Sequence, residues 1–223
     1  MMDEVNMETT LNEMECRVLG SLMEKELATP EYYPLTLNAL TMACNQKSNR
    51  HPVMKLAESD VERALDALKI KHLVLTASDS GRVPKYRHLL YEKMKLEAAE
   101  QAVLAELLVR GPQTVGELRG RAERMAAMVD LAAVEALLDD LAHRDLVIKL
   151  PRRPGMKEQR YAHLFSGEPA QSDEDLSASP EQSCVRMVAE NERLSILEEE
   201  VRLLREDLRD LRKIIEEFKR QFE

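Results

Sequence analysis

The chain has 223 residues, a formal net charge of −9 and 33% charged residues, while aromatic residues make up 4% and Trp is absent. No apolar run approaches the roughly 18 residues that a membrane-spanning helix needs, and the acidic start MMDEVNMETT lacks the apolar core of a signal peptide. The three cysteines are far apart, which favours reduced thiols of a cytoplasmic protein over a disulfide framework.

The negative charge is concentrated toward the C-terminus. Residues 1–167 hold nearly equal numbers of basic and acidic side chains, whereas residues 168–223 carry a clear excess of Asp and Glu. The overall acidity therefore neither supports nor excludes nucleic acid binding by residues 1–167, and local patches must decide it.

The first part of the chain predicts three helices. Residues 11–27 carry apolar side chains at the spacing of an amphipathic helix. A second helix is predicted to begin after Pro34, with Thr36 as its N-cap. Ser59 and Glu62 have the spacing of a capping box at the start of a third helix. The buried stripe of this third helix is predicted to be Val61, Ala64, Leu65 and Leu68.

Two predicted strands follow the third helix. They lie at residues 73–75 and 83–90, on either side of the turn SDSG at residues 78–81. Three helices followed by a β-hairpin is the order of elements in a winged helix, which is a helix-turn-helix with a hairpin appended. We therefore expect a mainly α-helical fold with small β-hairpins.

The second part of the chain repeats the first. The stretch VERALDALKIKHLV at residues 61–74 recurs as VEALLDDLAHRDLV at residues 134–147, with half of the aligned positions identical. KYRHLL at residues 85–90 likewise recurs as RYAHLF at residues 160–165. This order of matches predicts a tandem duplication. The two winged-helix domains are predicted at residues 11–91 and 94–166.

Three longer stretches resemble one bacterial family. They are TPEYYPLTLNALTMACNQKSNRHPV at residues 29–53, RGPQTVGELRGR at residues 110–121 and LPRRPGMKEQRYAHL at residues 150–164. Together they are similar to the YceH-like family of uncharacterised tandem winged-helix proteins. The resemblance covers residues 11–165 and implies the fold, but no activity.

The first repeat has a polar insertion after its second helix, NQKSNRHP at residues 45–52. Its amide side chains have the donors and acceptors that pair with base edges, and its cations suit phosphates. The alternative is a structural turn in which Asn and Ser side chains bind their own backbone. The residues predicted to contact nucleic acid or a partner are Asn45, Gln46, Lys47, Ser48, Asn49 and Arg50.

The two predicted hairpins, or wings, are basic. Basic wings commonly contact phosphates, although a solvated hairpin without a binding role is the alternative. The wing residues predicted to bind are Arg82, Lys85 and Arg87 in the first repeat and Arg152, Arg153, Lys157 and Arg160 in the second. The third helix of the second repeat is acidic, at Asp130, Glu135, Asp139, Asp140 and Asp145, so it is not expected to enter a DNA groove.

The C-terminal part predicts a flexible acidic linker at residues 167–183 and a coiled-coil helix at residues 184–223. Apolar residues alternate at three and four positions, and the flanking charges are attractive in a parallel dimer. A helix folded onto its own body is the alternative, and strand number and orientation stay open. The predicted dimerisation seam is Leu194, Leu197, Val201, Leu204, Leu208, Leu211, Ile215 and Phe218.

No catalytic motif is present. The chain lacks a Walker loop, a GxGxxG fingerprint and zinc-ligand spacing, so we expect neither an enzyme nor a cofactor or metal. Two functions remain open, and analogy with other winged-helix folds slightly favours the first. One is a cytoplasmic, homodimeric DNA-binding regulator that contacts double-stranded DNA through its wings and NQKSNR. The other is a protein-interaction scaffold that uses winged-helix surfaces to hold a protein partner without binding DNA.

Overall fold

A computed structural model of the chain describes residues 10–77, 83–152, 156 and 158–168. This part of the protein is mainly helical and contains two small antiparallel sheets, which confirms the predicted class of fold. The predicted coiled coil, and the predicted linker from residue 169 onward, lie outside the described residues.

The first repeat packs three helices against a three-stranded sheet. The helices are α1 (Glu13–Ala28), α2 (Leu37–Cys44) and α3 (Glu58–Ile70), with a 3-10 turn at Pro30–Tyr32. The strands are β1 (Leu35–Thr36), β2 (Val74–Thr76) and β3 (Lys85–His88). Strand β3 is central, because Tyr86 pairs with Leu35 on one side and with Thr76 on the other.

The second repeat has the same order of elements. After the short helix α4 (Leu90–Met94), its helices are α5 (Ala98–Arg110), α6 (Val115–Ala122) and α7 (Leu131–His143). Its strands are β4 (Gln113–Thr114), β5 (Val147–Lys149) and β6 (Arg160–His163), in the sheet order β4-β6-β5. Tyr161 pairs with Gln113 and Lys149 as Tyr86 pairs with Leu35 and Thr76, so the two sheets share one register.

Local capping explains where several helices begin. The Thr36 hydroxyl accepts the amide of Ala39 at 3.3 Å, which confirms the predicted cap of α2. In the second repeat, Thr114 and Glu117 form a complete capping box, with bonds of 3.2 Å and 2.9 Å. Thr114 and Glu117 also have capping-box spacing in the sequence, so the sequence and the structure agree on the start of the second helix in both repeats.

The predicted capping box of Ser59 and Glu62 is wrong. Helix α3 begins earlier, at Glu58, and Ser59 lies within its first turn. The carboxylate of Asp60 accepts the amide of Ala57 at 2.9 Å, so Ala57 becomes the N-cap. A carboxylate three residues beyond the cap stabilises the start of the helix. It accepts a hydrogen bond from an otherwise free amide, and its negative charge is attracted by the positive end of the helix dipole.

One hydrophobic core runs through both repeats. The α3 stripe predicted from the sequence is buried, as are Val134, Leu138 and Leu141 on α7, although Leu137 is half-buried. Helices α1 and α5 pack against each other along their length and join the two halves. None of the helices in the described part of the chain combines the length and the hydropathy needed to cross a bilayer.

Candidate functional site

The polar insertion of the first repeat forms a loop that closes on itself. It spans residues 45–56, between α2 and α3, and is called the 45–56 loop below. The side chain of Asn45 donates to the carbonyl of Leu56 at 2.8 Å and accepts the amide of Leu56 at 2.7 Å. The two ends of the loop are therefore adjacent, as in an Ω-loop, a compact class of surface loop that often carries function.

A buried arginine supports this loop from beneath. Arg17 on α1 is 1% exposed. Its Nη1 donates to the carbonyl of Cys44 at 3.2 Å and its Nη2 donates to the carbonyl of Pro52 at 2.7 Å. One guanidinium thus holds the end of α2 beside the middle of the loop. Burial, and then the charge of Arg50, lower the pKa of Arg17 from its ordinary value.

The predicted contact residues Asn49 and Arg50 face the interior of the protein. The Arg50 side chain is 0% exposed and forms an ion pair with Glu24 on α1. Its Nε donates to the carbonyl of Ala43 at 3.1 Å and its Nη1 to that of Asn49 at 2.9 Å. The Asn49 side-chain oxygen accepts a hydrogen bond from Arg110 on α5. In this arrangement the Arg50 guanidinium is out of reach of an external phosphate.

These contacts belong to an inter-repeat ion network of five residues. It consists of Glu24, Arg50, Glu106, Arg110 and Arg124. Arg124 Nη2 lies 2.5 Å from Glu24 Oε1 and 3.0 Å from Glu106 Oε1, and Arg110 Nε lies 2.9 Å from Glu106 Oε2. The Glu24 and Glu106 side chains are 1% and 0% exposed, so each depends on its cations to offset the loss of water.

The network keeps its central groups charged. Burial raises the pKa of Glu24, but the hydrogen bond and charge of Arg50, with the charge of Arg124, outweigh it and hold that pKa below its ordinary value. Burial lowers the pKa of Arg124, but Glu106 and Glu24 prevail and raise it. The backbone adds one more link, because the amide of His51 donates to the carbonyl of Val109 at 2.9 Å. The 45–56 loop is therefore fixed to both repeats.

The outer side of the 45–56 loop is exposed and carries no acid. Its exposed residues are Lys47, Ser48, His51, Pro52, Val53 and Lys55, while Gln46 is half-buried. Between Glu31 and Glu58 the chain contains no Asp or Glu. Within the described residues, neither Lys47 nor Lys55 takes part in an ion pair or a side-chain hydrogen bond. Both ammonium groups are thus available to a partner.

The third helices present carboxylates to solvent. On α3, Glu62 is exposed. Arg63 forms an ion pair with Asp60, with 2.5 Å between Nη2 and Oδ1. On α7, Asp139 and Asp140 are exposed, as the sequence indicates. The accessible face of α7 is therefore acidic, whereas that of α3 mixes the exposed Glu58, Glu62 and Asp66 with Arg63, whose side chain is 74% exposed.

The first wing is only partly described, since Arg82 lies outside the described residues. Lys85 is half-buried on β3. Arg87 Nη1 lies 2.6 Å from Glu92 Oε1 at the surface, so its charge already has a partner. Of the cations predicted here, the structure leaves Lys85 without an acidic partner in the described part of the chain.

The second wing is described at two of its four predicted cations. Arg152 is exposed, and Arg160 is half-buried, with Nη1 donating to the carbonyl of Pro112 at 3.5 Å. Arg153 and Lys157 lie outside the described residues, and so do all the residues of the predicted dimerisation seam. Both wings are therefore described only in part, whereas every residue of the 45–56 loop is described.

Sequence patterns did not mark the residues that fix this loop. Arg17, Glu24, Glu106 and Arg124 are charged, and charged positions on a helix are ordinarily assigned to its solvent face. One signal in the sequence indicated a buried charge. Arg17 lies in the stretch CRVLGSLM at residues 16–23, in which all the other residues are apolar or small. In the described part of the chain, no group of three or more His, Cys, Asp or Glu side chains is arranged to hold a metal ion.

Comparisons with known proteins show that this chain has bacterial relatives. Residues 11–156 match the family described as "Protein of unknown function, DUF480". A UPF0502 protein of Geobacter sulfurreducens is 63% identical over 219 residues, which cover 97% of this chain and 100% of that protein. UPF0502 proteins of Geotalea daltonii and Pelobacter propionicus are 63% and 54% identical over the same shares of each chain. These matches extend beyond the family region into the C-terminal part.

Proposed function

The chain belongs to the DUF480 family, and we propose that it is a non-enzymatic protein-interaction scaffold made of two winged-helix repeats. Each repeat supplies the three helices of a helix-turn-helix unit and a three-stranded sheet whose hairpin is the wing. The resemblance to the YceH-like proteins supports two winged-helix repeats and implies no activity. The protein acts in the cytoplasm and needs no cofactor for this role.

The observation that carries the proposal is the acidity of the third helices, above all that of α7. A DNA-reading winged helix inserts this helix into the major groove, close to the phosphates. Here α7 presents Asp139 and Asp140, and α3 presents Glu62. These carboxylates would be repelled by a duplex, whereas a protein partner has no uniform negative charge to repel them.

The fate of the NQKSNR run supports the same function. Asn45 closes the 45–56 loop, Asn49 binds Arg110, and Arg50 is paired with Glu24. Three of the six residues that suited base or phosphate contacts are thus committed to the fold. A scaffold needs rigid surfaces, and these internal contacts hold the 45–56 loop in a fixed position.

Binding of double-stranded DNA by the wings remains the second candidate. Its specific support is the exposed Arg152 and Lys85, which has no acidic partner among the described residues, together with further arginines and lysines of the wings in the sequence. These cations would bind phosphates, and such contacts do not distinguish one DNA sequence from another. The predicted C-terminal coiled coil would make either kind of protein a homodimer.

Binding of the full chain to a labelled random-sequence duplex, measured by fluorescence anisotropy over a salt series, decides between the two. The scaffold proposal expects binding weaker than about 10⁻⁴ M near physiological salt, the weak limit of ordinary nonspecific binding. Tighter binding that falls steeply with salt overturns it in favour of the DNA regulator.

A second arm tests the scaffold directly. The tagged full chain is recovered from nuclease-treated cells of Geobacter sulfurreducens, and co-purifying proteins are quantified. A partner present in a constant ratio to the chain is the expected result. Recovery of the chain without any protein in a constant ratio contradicts the proposal.

A further inference from the structure

We propose that the outer side of the 45–56 loop, with the neighbouring end of α2, is a docking surface for an acidic segment of a partner protein that also carries apolar side chains. This inference rests on the proposed scaffold function and names the chemistry of its partner. The surface is formed by Met42, Lys47, His51, Val53 and Lys55, and it is called the loop surface below.

Charge is the first argument. Lys47 and Lys55 are exposed cations without an acidic partner in the described part of the chain, in a region free of Asp and Glu from residue 32 to residue 57. Arg17, which binds the carbonyls of Cys44 and Pro52 from the interior, is a buried cation with no carboxylate within ion-pair distance among the described residues. The fields of these three cations add, so the loop surface attracts carboxylates although the whole chain is acidic.

Apolar exposure is the second argument. Met42 is 67% exposed and Val53 is 54% exposed. Arg17 binds the carbonyls of both Cys44 and Pro52, so the last turn of α2 lies beside the stretch that contains Val53. A single exposed apolar side chain is ordinary, but two beside unpaired lysines match a segment that alternates acidic and apolar residues.

Rigidity is the third argument. The loop is closed by Asn45, supported by Arg17 and joined to α5 by Asn49 and His51. Because these contacts already order the backbone, a partner would lose less binding free energy to loop ordering than it would on a mobile loop. The bonds face inward, which leaves the outward side chains free for contact.

A protein segment fits this surface better than a nucleic acid. A duplex carries phosphates along both strands and would bring some of them over the start of α3, where Glu58 and Glu62 are exposed. An extended peptide is narrow enough to follow the loop alone. Apolar side chains at Met42 and Val53 would find apolar partners on a peptide, but not on a phosphate backbone.

The test uses the full chain and a fluorescein-labelled peptide of twelve residues that alternates Asp or Glu with Leu. Wild-type protein is expected to bind it with a Kd of about 100 µM or tighter at low salt. The double variant Lys47→Glu, Lys55→Glu is expected to weaken binding at least about tenfold. Lys95→Glu with Arg152→Glu, an equal change of charge at exposed positions elsewhere, is the matched control and should stay within about twofold.

The apolar half of the proposal has its own variant. Met42→Ser with Val53→Ser should weaken binding of this peptide, yet leave unchanged the weaker binding of a peptide with Ser in place of Leu. Circular dichroism and thermal unfolding of each variant confirm that it is folded, which is expected because the substituted side chains are exposed.

Three results would overturn the inference. They are absence of binding by wild type up to about 1 mM peptide, an equal loss in the charge control, and displacement of the peptide by duplex DNA that depends on the same two lysines. The last result would identify a nucleic acid surface. If the co-purifying partner of the scaffold test is retained by the Lys47→Glu, Lys55→Glu variant, the scaffold stands and the loop surface falls.

Discussion

Gly20 on α1 lies directly against Leu108 on α5. A Cβ atom at Gly20 would stand 2.7 Å from the Cβ of Leu108 and 2.9 Å from Cγ1 of Val109. It would also stand 3.5 Å from the carbonyl oxygen of Ala105, which occupies the position equivalent to Gly20 in the second repeat. The two repeats therefore approach each other at a pair of small residues, and this contact brings Glu24 and Glu106 close enough to share Arg124.

Gly20→Ala is expected to destabilise the protein. Leu108 Cβ is fixed to the backbone of α5, so it cannot move without shifting the helix, and overpacking of this kind costs about 1–3 kcal/mol. Urea unfolding followed by circular dichroism measures the change.

Gly120→Ala on α6 is the matched control. A Cβ at Gly120 would meet no atom within 4 Å, so the helix propensity of alanine should raise the free energy of unfolding by up to about 1 kcal/mol. Equal effects of the two substitutions would contradict the close approach of α1 and α5.

Glu24→Gln is expected to lower the free energy of unfolding by about 3 kcal/mol or more. The change leaves the buried Arg50 without its counter-ion and removes one of the two carboxylates that hold Arg124. Chemical denaturation at pH 7 measures the loss. Because the pKa of Glu24 is held below its ordinary value, its contribution is fully present at that pH.

The comparison for Glu24 is Glu92→Gln. Glu92 pairs with Arg87 at the surface, where the two side chains are 46% and 39% exposed, so its loss should cost less than about 1 kcal/mol. A Glu24→Gln variant as stable as Glu92→Gln would show that the inter-repeat ion network does not stabilise the fold.

Stability is expected to fall as the pH drops from about 6.5 to about 4, in part through His163. Burial lowers the pKa of His163 to about 4, and its Nδ1 has no hydrogen-bond partner among the described residues. The unfolded chain therefore binds a proton in this window that the folded chain does not, so its contribution is complete above the window and lost as pH falls through it.

His163→Leu should flatten this dependence between pH 7 and pH 5. The urea midpoint of the variant would change less over that range than the wild-type midpoint, while His143→Gln, at an exposed histidine, should follow wild type. Parallel curves for all three proteins would rule out the role of His163.

Cys16 and Cys44 are expected to resist thiol reagents in the folded protein. Burial raises the pKa of both thiols to about 11, so the reactive thiolate is scarce at pH 8. In a Cys184→Ser background, Ellman's reagent should react with neither cysteine until denaturant is added, when both should react. Rapid reaction of either thiol without denaturant would contradict the burial of that residue.

A chain ending at residue 167 is expected to be a monomer, whereas the full chain should be a dimer. The shorter chain keeps both repeats and lacks the predicted seam that includes Leu194 and Leu204. Sedimentation equilibrium of the two proteins at equal concentration measures the difference. A dimer of the shorter chain would show that the association does not depend on the coiled coil.

The sequence predicted the three helices of each repeat, the caps of α2 and α6 and the duplication, but neither helix α4 nor the other caps. Periodicity of apolar residues and the caps at Thr36 and Thr114 are local signals, because they arise within a few turns of one helix. The buried stripe of α3 followed directly from this spacing. Strands β1 and β4 were missed, since two residues carry no period and form a strand only by pairing with Tyr86 and Tyr161.

The contacts of the NQKSNR run with α1 and α5 could not be read from the sequence, because they are made to residues far away along the chain. Arg124 and Glu24 are separated by 100 residues, and Asn49 and Arg110 by 61, so no local pattern connects them. Whether a charged side chain points into water or into the core depends on the partners that the fold brings to it, because a buried charge is stable only when it is paired or hydrogen-bonded. That dependence placed Arg50 inside the protein and left Lys47 and Lys55 on its surface.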